Sequence, residues 1–229
     1  MFTHQKRLIL LFLFAFLITG CVGQKQKEDF SVYAKQMDYI DDTLMQNQNM
    51  GETANVTEMM FSAGVKIKAL SDVPGIDDPA ILVNGISITK REIETQSILD
   101  NVQGSFPLKE TIDILIRTRA MQAEAIILGI EPSQDKIDNF LEHTKRGFGS
   151  DAEGGEEIYG YLKGMEITME EYLTTLEEVV YVMFQCEDLW ASVEPSRKFK
   201  SYEEYIDTLV AKANIEILDP EIKKLFSNK

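Results

Sequence analysis

The stretch Ala80–Ile93 runs Ala-Ile-Leu-Val-Asn-Gly-Ile-Ser-Ile-Thr-Lys-Arg-Glu-Ile. Two short apolar runs flank Asn84-Gly85, and both of those residues tolerate positive φ, so the segment predicts a tight β-hairpin. Thr89 and Glu92 follow at the spacing of a capping box. In such a box the threonine hydroxyl accepts from the glutamate amide, while the carboxylate accepts from the threonine amide. Strand, turn, strand and helix start therefore succeed one another with no linker between them. Downstream the apolar residues recur mostly at helical spacing, which makes the fold mainly α with a small β component.

A first helix is expected from about Lys90 to Gln103, ending near Gly104, and Pro107 opens the next. Proline costs little there, since the first helical amides lack partners anyway. The second helix places Ile112, Leu115, Ile116, Arg119, Ala123, Ile126 and Ile127 on one face. Leu128-Gly129-Ile130 closes it, with Gly129 suited to a left-handed C-cap. Pro132 blocks continuation, and Ser133 caps a third helix using Ile137, Phe140 and Leu141. Residues 149–165 read as a flexible loop before a helix, and Gly164 separately reads as the end of a small helix. Thr168 and Glu171 form a second capping box. The long helix after it carries Tyr172, Leu176, Val179, Met183, Cys186 and Trp190 on one stripe, so Cys186 is expected to be a buried, inert thiol. After a connection at Ser192–Phe199, Tyr202, Tyr205, Ile206 and Leu209 mark a last helix, and Asn214–Leu218 alternates as a strand.

Three of these pieces together resemble the SurA/PrsA-type chaperone domain of extracytoplasmic folding factors. They are Val83–Thr89 with the helix carrying Glu92, the Leu128-Gly129-Ile130 closure before a Ser133-led helix with Asp135 and Ile137, and Gly164–Tyr172. The resemblance covers about Ala80–Asp219 and rests on the order and spacing of elements. It implies that the late strand pairs with the early one and closes the domain from both ends. It also implies binding of non-native polypeptides without ATP.

Ahead of that domain, Lys6 and Arg7 precede the apolar run Leu8–Leu17, too short to span a bilayer but suited to a signal peptide core. Leu17-Ile18-Thr19-Gly20-Cys21 then resembles a bacterial lipobox, which implies cleavage between Gly20 and Cys21 and a lipid on Cys21, the alternatives being an uncleaved signal anchor or an ordinary signal peptide with an incidental Cys. Several acyl chains together give a stable membrane anchor. The expected organisation is a signal peptide at 1–20, a tether at 21–28, a helical extension at 29–71 and a linker at 72–79. The chaperone-like domain occupies 80–219, with a tail at 220–229. In the extension, Phe30, Tyr33, Met37, Ile40 and Leu44 form one helical stripe. Val56, Met59, Met60, Ala63, Ile67 and Leu70 form another.

The formal net charge of −15 argues against nucleic acid and against docking on anionic lipid through a basic patch. It favours basic clients over acidic ones. Cys186 has no second cysteine to pair with if Cys21 is lipidated, and the mature chain keeps one histidine, His143, which is poor material for a zinc site or a triad. Members of the resembled family often carry a parvulin-type prolyl isomerase domain after the long helix. The interval from Trp190 to Ser201 leaves about ten residues where a domain needs about a hundred. The acidic trio Asp38, Asp41 and Asp42 lacks the glycine and terminal glutamate of an EF-hand loop. Asn55-Val56-Thr57 is a sequon of no consequence in a bacterial lipoprotein.

The expectation is thus a lipid-anchored protein of the bacterial envelope that faces away from the cytoplasm. It has no cofactor, no metal and no small-molecule substrate. It would hold unfolded or secreted polypeptides through Tyr159, Tyr161, Met165 and Met169, unless those side chains fill the interior. The alternative is a scaffold lipoprotein that binds one folded partner, with residues 28–70 as docking helices. Prolyl isomerisation ranks behind both.

Overall fold

The computed structural model describes residues 51–102, 106–147, 155–196 and 198–227, and is mainly helical. The order is α1 (Gly51–Ala69), β1 (Pro79–Val83), β2 (Ile86–Thr89), α2 (Lys90–Asp100), α3 (Leu108–Ile127) and α4 (Gln134–Gly147). Then come α5 (Gly155–Met165), α6 (Met169–Val193), α7 (Tyr202–Lys212), β3 (Ile215–Ile217) and α8 (Pro220–Ser227). Cys21 and the stripe from Phe30 to Leu44 lie outside the described residues.

The hairpin forms as expected. Asn84 and Gly85 take φ of 51° and 86°, the pair of positive values that a type I′ turn requires. The register sets Ile81 opposite Ile88 and Val83 opposite Ile86. The late strand lies on the other side of β1, antiparallel, with Ile81 opposite Ile217 and Val83 opposite Ile215. The sheet order is therefore β2-β1-β3, with the earliest strand in the middle. Asn84 locks the closure twice. Its amide donates to the Asn214 carbonyl at 2.8 Å, and its side-chain oxygen accepts from the Asn214 amide at 2.8 Å.

Both capping boxes are complete. Thr89 and Glu92 cap α2, and Thr168 and Glu171 cap α6. At the end of α3, Gly129 has a φ of 66°, and the Ile130 amide donates to the Ala125 carbonyl at 2.9 Å, a Schellman closure.

Three apolar clusters share the long helices. One joins α1, α5 and the first half of α6 through Met60, Ile67, Tyr161 and Leu176. A second lies beneath the sheet, with Ile81, Ile88, Ile112 and Leu115. The third ties the ends of α3 and α6 to α7 through Met121, Leu189 and Tyr205, and it contains Cys186. Burial pushes the Cys186 thiol up to about 12, so at neutral pH it stays protonated and unreactive.

The structure departs from the sequence expectations at several places. The second stripe of the helical extension, α1, packs directly on the domain, with Met60, Ala63 and Ile67 buried in the same core as α5 and α6. The stretch 72–79 is held down rather than free. Ile76 is buried, its carbonyl accepts from the Arg91 amide at 2.7 Å, and Asp77 takes two bonds from the Arg91 guanidinium. Residues 155–165 are helical, not loop. The C-terminal stretch forms α8, with Ile222 buried under the sheet. Asp219 caps that helix by accepting from the Ile222 amide at 3.1 Å and the Glu221 amide at 2.8 Å. Those bonds and Lys90 at 3.0 Å hold its carboxyl below the usual range. Ile126 and Ile127, expected inward, are 56% and 74% exposed, as the last turn of α3 runs past its neighbours.

Gly164 does not end α5. It sits inside the helix at a close crossing with α1, while the left-handed closing position is Glu166, at a φ of 56°. The Ile167 amide donates to the Leu162 carbonyl at 3.2 Å, which is again a Schellman pairing. A non-glycine residue in this conformation costs roughly 1–2 kcal/mol, part of which glycine gives back through its freer unfolded state. Glu166→Gly is expected to stabilise the fold by about 0.5 kcal/mol, read as a higher urea midpoint, because its exposed pair with Lys68 is weak. A lower midpoint would mean that the Lys68 pair outweighs the backbone strain.

Candidate functional site

The capping box does more than start α2. One oxygen of Glu92 accepts from the Thr89 amide at 2.8 Å and from the Thr89 hydroxyl at 3.1 Å. Its other oxygen meets the Arg119 guanidinium from α3. Glu92 is 4% and Arg119 8% exposed, so this is a buried ion pair. Arg119 also donates through Nε to the Ser87 carbonyl at 3.1 Å and through Nη1 to the Gln122 amide oxygen at 3.2 Å. Five groups from β2, α2 and α3 are thereby tied into one polar knot. Burial of both charges is tolerable because each has several directed partners.

The knot forms one wall of a cleft of about 770 Å³. That volume falls in the range of ligand sites. Ile86, Ser87 and Thr89 from β2 stand on the same side. The opposite side is Gln134 and Ile137 of α4 with Thr174, Glu177, Glu178, Val179, Tyr181 and Val182 of α6. Ile137 and Val179 are buried at the bottom, whereas Glu177 and Glu178 are exposed at the rim. Gln134 reaches across to donate to Glu177 at 3.2 Å. The cleft is thus apolar at its base, neutralised on one wall and acidic along its edge.

Two hydroxyls that line the cleft are engaged in structural bonds. Thr89 donates to Glu92, and Thr174 donates to the Glu170 carbonyl at 2.9 Å. Among the described residues, no group of three His, Cys, Asp or Glu side chains is placed to hold a metal ion. The arrangement presents apolar area below and negative charge above.

The residues named from sequence as client contacts lie elsewhere. Tyr161 is 1% exposed and packs edge-on against Tyr172 at 6.4 Å, and Met169 is 6% exposed at the start of α6. Both are core residues, withdrawn from solvent because α1 covers that side. Tyr159 and Met165 are half-buried, and neither lines the cleft. Sequence reasoning placed Glu92 in a capping box, Arg119 on an apolar helix face and Glu177 and Glu178 on a solvated face, but it did not bring them together and it passed over Gln134. One signal was present: Arg119 falls in the middle of an apolar helical stripe, and an arginine there needs a carboxylate partner. Comparisons of the chain with protein-family models, with curated proteins and with solved structures return no match.

Proposed function

We propose that this chain is a lipid-anchored envelope protein that holds non-native polypeptides without ATP, in the cleft between β2 and α6. The observation that carries this reading is the cleft itself: apolar at the base, open to solvent, and rigid because the Glu92–Arg119 knot fixes one wall. A shallow apolar trough captures exposed hydrophobic segments weakly and releases them once the client buries its own core. The SurA/PrsA-like order of elements and the Lys6–Cys21 leader are consistent with this role and with attachment through Cys21.

The test is photocrosslinking in intact cells from a reactive residue placed at Val182, in the cleft, and at Leu225, on the exposed side of α8. The expected result is many unrelated clients from Val182, few from Leu225, and suppressed light scattering when a denatured client is diluted into the purified protein. Failure of the Val182 probe to capture clients in a protein that still suppresses aggregation would move the activity away from the cleft.

One observation favours a second reading, a scaffold that docks on a single folded partner. Ile126, Ile127 and Leu128 are 56%, 74% and 53% exposed in a row, an uncommon apolar tip for a surface helix. A probe at Ile127 that captures one protein, with no effect on light scattering, would establish the scaffold instead.

A further inference from the structure

Resting on the cleft as the binding site, we infer that it selects open polypeptide segments in which Lys or Arg accompanies apolar residues. Among the described residues, Glu92, Glu177 and Glu178 line the cleft against a single cation, Arg119. Arg119 is committed to Glu92, to the Ser87 carbonyl and to Gln122. Its charge is therefore neutralised within the protein and does not attract an acidic ligand. Glu177 accepts from a neutral partner, Gln134, and no hydrogen bond or ion pair joins Glu178 to another of the described residues. The rim thus keeps two uncompensated negative charges above an apolar base of Ile137 and Val179.

A ligand that fits both levels carries aliphatic side chains directed downward and ammonium or guanidinium groups at the level of the rim. Lys and Arg meet this demand well, since their methylene stems cover apolar surface while their heads stay in water. The backbone plays a smaller part. β2 is an edge strand, but its Ser87 carbonyl is already taken by Arg119, which limits the addition of another strand. Recognition accordingly falls on side chains and their charge, a requirement loose enough to be shared by many clients.

The experiment titrates the full chain with three fluorescent peptides of identical apolar pattern, bearing Lys, Gln or Glu at the same two positions. The protein carries a photoreactive residue at Val182 to locate them. At low salt the Lys peptide is expected to bind about tenfold more tightly than the Glu peptide, with the Gln peptide between them. The spread should shrink to about twofold in E177Q/E178Q and likewise in high salt, since screening weakens exposed charges. Both substitutions lie on the exposed face of α6, so folding is unaffected. Equal binding of all three peptides with crosslinking at Val182 overturns the inference and leaves the cleft reading standing. A preference for Lys that survives E177Q/E178Q also overturns it, because the charge then lies elsewhere. If no peptide binds or crosslinks, the cleft reading falls and the inference falls with it.

Discussion

Arg119→Met is expected to destabilise the fold by about 3–5 kcal/mol, the usual cost of leaving one buried charge without its partner. The methionine fills much of the space vacated by the arginine stem, so the loss is chiefly electrostatic. Glu92 would keep its two bonds from Thr89 and lose the guanidinium that balances it. The Ser87 carbonyl would lose its donor as well. Glu92→Gln alone keeps part of the capping geometry and should cost less. The double variant E92Q/R119M should lose at least 1 kcal/mol less than the sum of the singles, because side chains in direct contact are not additive. Guanidinium unfolding of the four proteins gives all the quantities needed. Simple additivity would mean that Glu92 and Arg119 contribute independently and that the knot is not a unit.

Gly164→Ala is the second large effect, and its sign is the informative part. In an ordinary helix interior this change stabilises by about 0.5–1 kcal/mol. Here a Cβ would fall onto the Phe61 carbonyl, with the Val65 amide nitrogen at 2.9 Å. Both obstacles are backbone, and neither can rotate away. At the same crossing a Cβ on Gly160 would meet the Thr57 carbonyl at 2.5 Å, and one on Gly64 the Tyr161 carbonyl at 2.5 Å. Three glycines let α1 and α5 approach until their main chains touch. Gly164→Ala must push the helices apart, and a loss of about 2–3 kcal/mol is expected from overpacking. A higher urea midpoint for Gly164→Ala would show that the helices can separate at no cost.

The features legible from sequence were those decided within a few residues. The Asn84-Gly85 turn, the boxes at Thr89 and Thr168 and the closure at Gly129 each depend on local φ preferences and on donors three to five positions away. The pairing of β1 with β3 is a long-range feature that the resemblance supplied. Gly164 shows the limit of local reasoning. A glycine near the end of a short helix looks like a cap, and its actual role is visible only once α1 lies against it. Tyr161 and Met169 show the same limit, since an aromatic or methionine at a helix junction faces solvent or core depending on which distant helix covers it.

The amino-acid order alone determined the mainly helical class, the hairpin and the places where α2, α3 and α6 begin or end, because turn and cap energetics are local. Tertiary structure alone decided the burial of α1 and the outward turn of Ile126 and Ile127. It also decided the meeting of Glu92 with Arg119, 27 residues along the chain. Those outcomes depend on which apolar faces meet, and burial against a partner far away in sequence outweighs any preference a short segment can express.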